Sequence, residues 1–571
     1  MNSPEFLQTE PDRARDGVAS GGAQRVAAGM LFSRLLGFVR EITLAYFFGV
    51  GAHADVFRTA LRGPNLLQNL LGEQSLSASF IPIYSRMLEE RRYQEAGRFA
   101  GAIFGLLLAL AGVVSLIGVA LAPAVVTIVA PGYLGDAKEV AEGTLSIDRF
   151  PLAVAAVRIM FPMAGILVLS AWALGILNSH RRFFIPYMAP ALWNASIIAA
   201  LVFTARKVGG FAAASDVSTL DTLLISGCVG ALIGGVLQFA VQLPFVFRSL
   251  VSFKVAISFR VPGVRQAIAA FAPLVAGRGA VQLSSYLDLF MASFLMAGAL
   301  AALGYAQTLY LLPIGLFGLS VAAAELPELS RSIGKQTPQD HVERLQRALA
   351  QVGFLTVPTA IGYVLLGFLL IAALFRRGSF GLSDNWLVYL VLCAYSLGLV
   401  ASASSRLLNN VFFAQSRTGI PARIGVERVL LSAALGAGLM FLLDQYSVAG
   451  VLRLSLEGDD SLHLGAVGLA FGAGVAAWYE LWRLKASLRD SMGESIIPWR
   501  RFGAMTLLSL AAGSLALGTW LALGQRLPTM VVLLVLGIYA SVYLLGARLM
   551  GWPELSQWTR SGRFIGGGAL K

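Results

Sequence analysis

The first apolar stretch of the chain, residues 26–48, contains two arginines at positions where a charge is unusual. If this stretch is a membrane-spanning helix, a rise of 1.5 Å per residue places Arg34 about 12 Å and Arg40 about 21 Å from its start, inside the hydrocarbon layer. A charge there costs at least about 2.5–3.5 kcal/mol on an isolated helix, and such residues typically mark substrate or ion pathways. Because a guanidinium group donates bidentate hydrogen bonds and stays protonated, these arginines indicate a cationic cavity for an anionic headgroup such as a diphosphate.

A second interpretation of the two arginines is purely structural. Glu41 lies seven residues after Arg34, hence on nearly the same helix face, whereas Arg40 is rotated by roughly 120° from Arg34. Either arginine could instead pair with Glu41, Asp55 or Glu73 and lock the helices together, because buried charges in membranes are often paired. The sequence leaves both interpretations open.

The second half of the chain carries two further charges in an apolar stretch, residues 268–296. Arg278 lies about 15 Å into this stretch and could face the same cavity from the other half of the protein. Asp288 could bind Na⁺ or a proton and couple transport to an ion gradient, or it could pair with Arg278.

The composition assigns the chain to the polytopic membrane proteins. Of 571 residues, 57% are hydrophobic and only 13% are charged, with a mean hydropathy of +0.72. The net charge of +13 is dispersed over short loops, so we expect no nucleic-acid partner. Cys228 and Cys393 lie inside apolar stretches and the four histidines are scattered, which predicts neither a disulfide framework nor a metal site. With no catalytic constellation visible, we expect a transporter without a bound cofactor, and not an enzyme.

A length of about 20 residues per span predicts fourteen transmembrane helices. We expect them at 26–48, 64–85, 99–129, 154–178, 184–205, 222–247, 268–296, 300–324, 351–374, 386–414, 424–443, 463–482, 503–524 and 528–549. The first is interpreted as a true span and not a cleavable signal peptide, because it carries charges and lacks a cleavage site. The second is so polar that it must face protein or a water-filled cavity.

The loops predict the orientation. Lysine and arginine are concentrated after the even-numbered spans, whereas the loops 131–148 and 444–461 are acidic on balance. By the positive-inside rule, both termini are expected in the cytoplasm, which is consistent with an even number of spans in the cytoplasmic membrane.

The sequence also repeats itself at an offset near 247 residues. The segment 41–45 (EITLA) resembles 288–292 (DLFMA), and 82–86 (PIYSR) resembles 327–331 (PELSR). Six predicted spans separate the copies, so the two halves should have the same orientation, as in several secondary transporters. The predicted organisation is an N-terminal tail at 1–25, a six-helix lobe at 26–247, a second lobe at 248–482, two further helices at 503–549 and a C-terminal tail at 550–571.

Several blocks of the first two spans resemble the MurJ (MviN) family. They are 32–41 (FSRLLGFVRE), 48–51 (FGVG), 55–57 (DVF), 64–67 (PNLL), 72–73 (GE) and 80–85 (FIPIYS). Shorter signals follow at Phe161-Pro162, at 176–178 (ILN) and from Pro186 through Pro190 to Asn194. The resemblance extends over essentially the whole chain to the fourteenth span.

The resemblance implies a lipid II flippase of the multidrug/oligosaccharidyl-lipid/polysaccharide exporter superfamily. Such a protein has two lobes that work by alternating access, a groove formed with the last two helices for the lipid tail, and a membrane potential or sodium gradient as the energy source. From Asp288 alone, coupling to protons is the other expectation. The implied partners are an undecaprenyl-diphosphate lipid and the cell-wall synthesis machinery. The implied functional residues are Arg34, Arg40, Glu41, Asp55 and Glu73; we expect Arg34 and Arg40 to bind the diphosphate, and Glu41, Asp55 and Glu73 to form gating pairs. Arg62 and Arg278 are expected to join the diphosphate site because of their positions, and the candidate cation site is Asp288 with Ser432.

The sequence departs from the family pattern at two positions where family members commonly carry arginine. The residue after the PNLL block is Gln68, and Tyr305-Ala306 is followed by Gln307 and Thr308. These departures are the reason for one alternative, a transport-inactive relative that acts as a scaffold in envelope synthesis. A second alternative, a flippase for another polyprenyl-diphosphate-linked glycan, is kept because the diphosphate is common to both cargoes.

Overall fold

The computed structural model describes most of the chain. The described residues are 10–143, 145–209, 216–315, 338–415, 417–452, 462–492, 496–523 and 529–555; the backbone alone is described at 10–28, 73–74, 274, 276–285, 338–340, 452 and 490–492. Arg278 and Glu73 fall in the backbone-only segments.

The described chain folds into helices. In chain order they are α1 (Glu10–Phe48), α2 (Ala52–Leu71), α3 (Glu73–Ser79), α4 (Ile81–Glu89), α5 (Tyr93–Ala120), α6 (Ala122–Val129), α7 (Asp136–Ala141), α8 (Arg149–Ser179), α9 (Phe184–Met188), α10 (Pro190–Lys207), α11 (Val217–Ala240), α12 (Leu243–Phe247), α13 (Val264–Ala292), α14 (Ala299–Pro313), α15 (Pro338–Phe375), α16 (Leu382–Leu397), α17 (Leu399–Ala414), α18 (Gly419–Leu443), α19 (Val448–Leu452), α20 (Gly465–Met492), α21 (Trp499–Ala522) and α22 (Thr529–Leu549). A short 3₁₀ helix occupies Pro131–Gly135. Within the described residues the extended pairing is limited to one isolated bridge, Ser447 with His463.

The predicted all-helical membrane class is confirmed. Eight described helices are long and apolar enough to cross a membrane, and a ninth span results if α16 and α17, bent by 41° at Gly398, are counted together. They coincide with nine of the predicted spans, and 386–414 corresponds to the bent pair. The full number of fourteen stays a prediction, because the other predicted spans carry more polar residues or extend beyond the described chain.

The first two predicted spans differ from the observed helices. Helix α1 begins at Glu10, so the predicted N-terminal tail at 1–25 is partly helical. The second span was expected at 64–85, but helix begins already at Ala52 and is interrupted at Gly72 and Phe80. Charged residues near its start hide the helix from a hydropathy window, and Pro82, which lacks a backbone N–H, occupies the first turn of α4.

Contacts divide the chain into two compact units. Unit 1 comprises residues 1–48 and 52–290, and unit 2 comprises residues 49–51 and 291–571. Most of α13, which the sequence repeat places at the start of the second lobe, therefore groups with unit 1. The lobe boundary predicted after residue 247 rests on sequence symmetry and stays a prediction.

Unit 1 has an aromatic core between α3, α4, α5 and α8. The rings of Phe80 and Phe99 stack with centroids 5.3 Å apart, and the indole N–H of the buried Trp172 donates to the carbonyl oxygen of Ala100 at 3.1 Å. The extended segment 251–256 lies along α5, and the residues of α5 that face it are the glycines Gly97, Gly101 and Gly105. A Cβ at Gly101 would lie 2.1 Å from the carbonyl oxygen of Lys254, so this approach requires glycine.

In unit 2 the last two helices pack against α15. The hydroxyl group of Tyr539 donates to the carbonyl oxygen of Pro358 at 2.6 Å, and that of Tyr543 donates to the carbonyl oxygen of Phe354 at 2.9 Å. In a regular helix the carbonyl oxygen of Phe354 would accept a hydrogen bond from the backbone N–H of residue 358. Residue 358 is proline and has no N–H, so this carbonyl oxygen accepts from Tyr543 instead. The two tyrosines thus attach α22 to the proline turn of α15.

Candidate functional site

The buried charges of α1 form a compact cluster with α2 and α10 in unit 1. Glu41 is 6% exposed and accepts hydrogen bonds from two arginines, Arg40 at 2.6 Å and Arg58 at 2.7 Å. Both arginine side chains are 15% exposed. One carboxylate is therefore shared by two guanidinium groups, and these three side chains together carry a charge of +1.

Helix α10 orients Arg40. The guanidinium group donates to the side-chain oxygen of Asn194 at 3.0 Å and lies 4.9 Å from the ring centroid of Trp193. Asn194 in turn donates to the carbonyl oxygens of Ser33 and Pro190, at 3.4 Å and 3.2 Å. The Nε atom of Arg40 is buried without a hydrogen-bond partner among the described residues. Arg40 is thus held in place by α1 and α10 while one of its donors stays unused.

Arg34 lies outside this cluster. It is six residues, or about 9 Å, from Arg40 along α1. Its side chain is exposed, and it has no hydrogen bond or ion pair with another described residue. Of the two pairings that the sequence allowed with Glu41, the structure shows the one with Arg40.

Arg62 is placed beside α13. Its carbonyl oxygen accepts a hydrogen bond from the hydroxyl group of Tyr286 at 2.5 Å, and its side chain is partly exposed. Pro64 follows two residues later inside α2. The side chain of Arg278, eight residues before Tyr286 on α13, lies outside the described residues, so its predicted position in the cavity stays a prediction.

Asp55 belongs to a second buried network, which sequence reasoning missed. Asp55 is 1% exposed and lies 3.6 Å from Arg149, and Arg149 also binds Asp136 through Nε at 2.6 Å and through Nη2 at 2.9 Å. The guanidinium group lies 4.4 Å from the ring centroid of Tyr133, whose hydroxyl group is 3.0 Å from that of Thr59. The signal available in the sequence was the acidic loop 131–148, followed at once by an arginine at the start of a span.

The remaining predicted site residues lie on α3, α13 and α18. Glu73 begins α3, but its side chain lies outside the described residues. Asp288 is partly buried in unit 1, and Ser432 is partly buried in unit 2. Their joint cation site stays a prediction, and the described residues contain no group of three His, Cys, Asp or Glu side chains suited to a metal ion.

At the two positions where family members commonly carry arginine, this chain has uncharged residues. Gln68 is partly buried in the last turn of α2. The hydroxyl group of Thr308 donates to the carbonyl oxygen of Gly304 in its own helix, at 2.9 Å. In this part of the molecule the cationic character therefore comes from Arg34, Arg40, Arg58 and Arg62.

Solved structures support the fold. A lipid II flippase MurJ in an inward closed conformation matches with a TM-score of 0.69 at 22% identity, over 92% of this chain and 98% of that chain. An inward-facing multidrug resistance MATE family transporter of the MOP superfamily matches with a TM-score of 0.58 at 16% identity, over 82% of this chain and 99% of that chain. At these identities the matches establish the architecture alone.

Sequence comparisons identify the family. The profile of the family described as lipid II flippase MurJ matches residues 44–540. A probable lipid II flippase MurJ of Rhizobium tropici is 31% identical over 74% of this chain and 76% of its own length. The lipid II flippase MurJ of Burkholderia cenocepacia is 31% identical over 70% of this chain and 74% of its own length, and a probable flippase of Vibrio cholerae is 28% identical over 92% and 95%. The predicted resemblance to the MurJ family is thereby confirmed, and this multi-pass membrane protein belongs to that family.

Proposed function

We propose that this protein is a lipid II flippase, which moves the lipid-linked peptidoglycan precursor from the inner to the outer leaflet of the cytoplasmic membrane by alternating access. The observation that carries this proposal is the family match over residues 44–540, which includes the last turn of α1 and all of α2. The charge cluster of Arg40, Glu41 and Arg58 supports it, because buried arginines in an apolar span suit an anionic headgroup.

The two arginines of α1 are assigned different tasks. Arg34 is exposed and makes no hydrogen bond or ion pair with another described residue, so its five donors are available to a diphosphate. Arg40 is held by Glu41 and Asn194 and offers its Nε atom and its charge. Arg62 and Arg278 complete the proposed cationic set from α2 and α13.

The acidic residues are assigned to conformational control. Glu41 neutralises part of the charge of Arg40 and Arg58, and a headgroup phosphate would compete with it for those donors. Asp55, through Arg149 and Asp136, fixes α2 to the start of α8. Glu73 is proposed as a further gating residue, and Asp288 with Ser432 as a cation-coupling site. These assignments follow the resemblance of the first two spans.

The topology of the proposal is testable on its own. Both termini are placed in the cytoplasm, and the acidic loop 131–148 is placed on the outer side of the membrane. A single cysteine at Lys138, which is 81% exposed, should react with a membrane-impermeant maleimide in intact cells after Cys228 and Cys393 are replaced. A cysteine at the exposed Arg182 should react only after the membrane is permeabilised, and the reverse pattern would refute this orientation.

The decisive test is complementation by the unmodified gene in a strain depleted of its lipid II flippase. Growth is expected, and purified protein in vesicles should move labelled lipid II between leaflets. Arg34→Ala and Arg40→Ala should abolish growth at unchanged expression, whereas Arg206→Ala, at the exposed end of α10, should not. Full growth with both α1 variants would refute the proposed cationic site.

The same assays separate the alternatives. Competition between lipid II and another polyprenyl-diphosphate glycan would reveal a different cargo. A correctly inserted wild-type protein that neither complements nor moves lipid would indicate the scaffold role instead.

A further inference from the structure

Helix α17 of unit 2 has a polar face that the assignments above do not use, and the arginine of this face, Arg406, is exposed. Ser402, Arg406 and Asn409 are spaced by four and three residues and therefore lie on one face of the helix. Arg406 lies eight residues, or about 12 Å, before the end of the helix at Ala414. In a chain that spans a membrane, an arginine at this depth marks a functional position by default.

Four helices meet at this face. From α14, the hydroxyl group of Tyr310 donates to the Oγ atom of Ser402 at 2.8 Å. From α18, Arg428 donates to Glu480 of α20 at 2.6 Å, and Asn409 donates to the other carboxylate oxygen of Glu480 at 3.4 Å. The carboxylate of Glu480 is therefore occupied by two donors.

Arg406 is the unsatisfied member of the group. It lies within electrostatic range of Tyr310, Arg428 and Glu480. Among the described residues, however, it makes neither a hydrogen bond nor an ion pair, because Glu480 is bound to Arg428. Two arginines thus accompany one carboxylate in the described part of unit 2, and Arg406 is the one that is not bonded to it.

Unused polar atoms lie on the same helix. The Oγ atom of Ser405 is buried without a hydrogen-bond partner in the described chain, and so is the Oδ1 atom of Asn409. Buried polar atoms are normally satisfied, so each unsatisfied atom requires an explanation, such as a missing ligand. A serine hydroxyl group can donate to an anionic oxygen, and an amide oxygen can accept from a hydroxyl or amide group beside it.

We propose that Arg406 and Ser405 bind an anionic oxygen group, a phosphate or a carboxylate, of the lipid-linked headgroup in unit 2. This inference rests on the proposed flippase function and adds a binding site to it. Arginine is suited to both groups because its planar fork donates two parallel hydrogen bonds. In lipid II the group is either the diphosphate or a peptide carboxylate, and two probes distinguish them.

The test uses the full-length protein in nanodiscs, with binding measured by native mass spectrometry. The probes are undecaprenyl diphosphate, which lacks the peptide, and lipid II. Arg406→Gln should weaken binding at least about tenfold, which is the lower limit for losing a hydrogen bond to a charged group. The control is Arg417→Gln, an exposed arginine in the loop after α17, which should bind within twofold of wild type.

Each outcome has a defined meaning. Weaker binding of both probes assigns the diphosphate to Arg406, and weaker binding of lipid II alone assigns a carboxylate; both support the site. Unchanged affinity of a monodisperse Arg406→Gln protein for both probes overturns it. If that variant does not fold, Arg406→Lys replaces it, since lysine keeps the charge without the fork; at least threefold weaker binding is expected, and equal affinity overturns the site. Failure of the wild-type protein to bind either probe would instead refute the flippase function.

Discussion

The network around Arg149 allows a quantitative prediction about the stability of unit 1. Arg149 is 3% exposed and is held between two buried carboxylates, Asp136 at 0% and Asp55 at 1%. Substitution of Arg149 by glutamine keeps a polar side chain of similar reach and removes the charge. Both carboxylates then lose the cation that Arg149 provides.

The expected loss follows from the contacts. Arg149 makes two charge-assisted hydrogen bonds to Asp136, at 2.6 Å and 2.9 Å, each worth about 1.5–3 kcal/mol. Their sum agrees with the 3–5 kcal/mol typical of breaking a buried ion pair by removing one partner. A large domain loses about 2 °C of melting temperature per kcal/mol, so the apparent Tm should fall by about 6–10 °C.

The assay is thermal unfolding of the purified protein in detergent, followed by tryptophan fluorescence. Arg182→Gln, an exposed arginine in the loop after the same helix, is the control and should leave the Tm within about 1 °C, as surface substitutions usually do. Asp136→Asn should be destabilising as well, but the double variant with Arg149→Gln should lose less than the sum of the two, because the partners are coupled. A Tm of Arg149→Gln within 2 °C of wild type, or strict additivity in the double variant, would refute this reasoning.

Two further predictions concern unit 1. Glu41→Gln should abolish flippase complementation and lower the Tm, because Arg40 and Arg58 would lose their shared carboxylate; normal growth at normal expression would contradict the proposed control by Glu41. Gly101→Val should destabilise by more than 2 kcal/mol, because a Cβ atom there would lie 2.1 Å from the carbonyl oxygen of Lys254 and that oxygen belongs to the backbone. The comparison for thermal unfolding is Gly112→Val in the same helix, where a Cβ meets no atom within 4 Å; equal Tm values for the two variants would disprove the close approach.

Helical content and the importance of α1 could be predicted from the sequence because both depend on local properties. A run of about 20 apolar residues can cross a membrane only as a helix. A charged residue inside such a run is recognisable from the sequence alone, whatever the helix packs against. The partner of that charge is not local. Asn194 is 154 residues from Arg40, and their hydrogen bond depends on how α1 and α10 pack.

Helix interruptions were harder to predict than helices. The sequence predicts one continuous span at 386–414, but in the structure the helix is bent by 41° at Gly398. A Cβ at Gly398 would lie 2.7 Å from the Cα atom of Gly474, so two backbones approach each other at this point. The sequence shows both glycines, but their contact becomes visible only when α17 and α20 are placed side by side.

The attachment of residues 251–256 to α5 limits how far α13 can travel. The backbone N–H of Ala256 donates to the carbonyl oxygen of Gly101 at 3.4 Å, and α13 begins at Val264. Eight residue steps of fully extended chain reach at most about 28 Å. As long as this attachment persists, the first turn of α13 must stay within that radius of the middle of α5 in every conformation. Gly263, with φ +86°, is the residue of this connection that can change direction with the least steric strain.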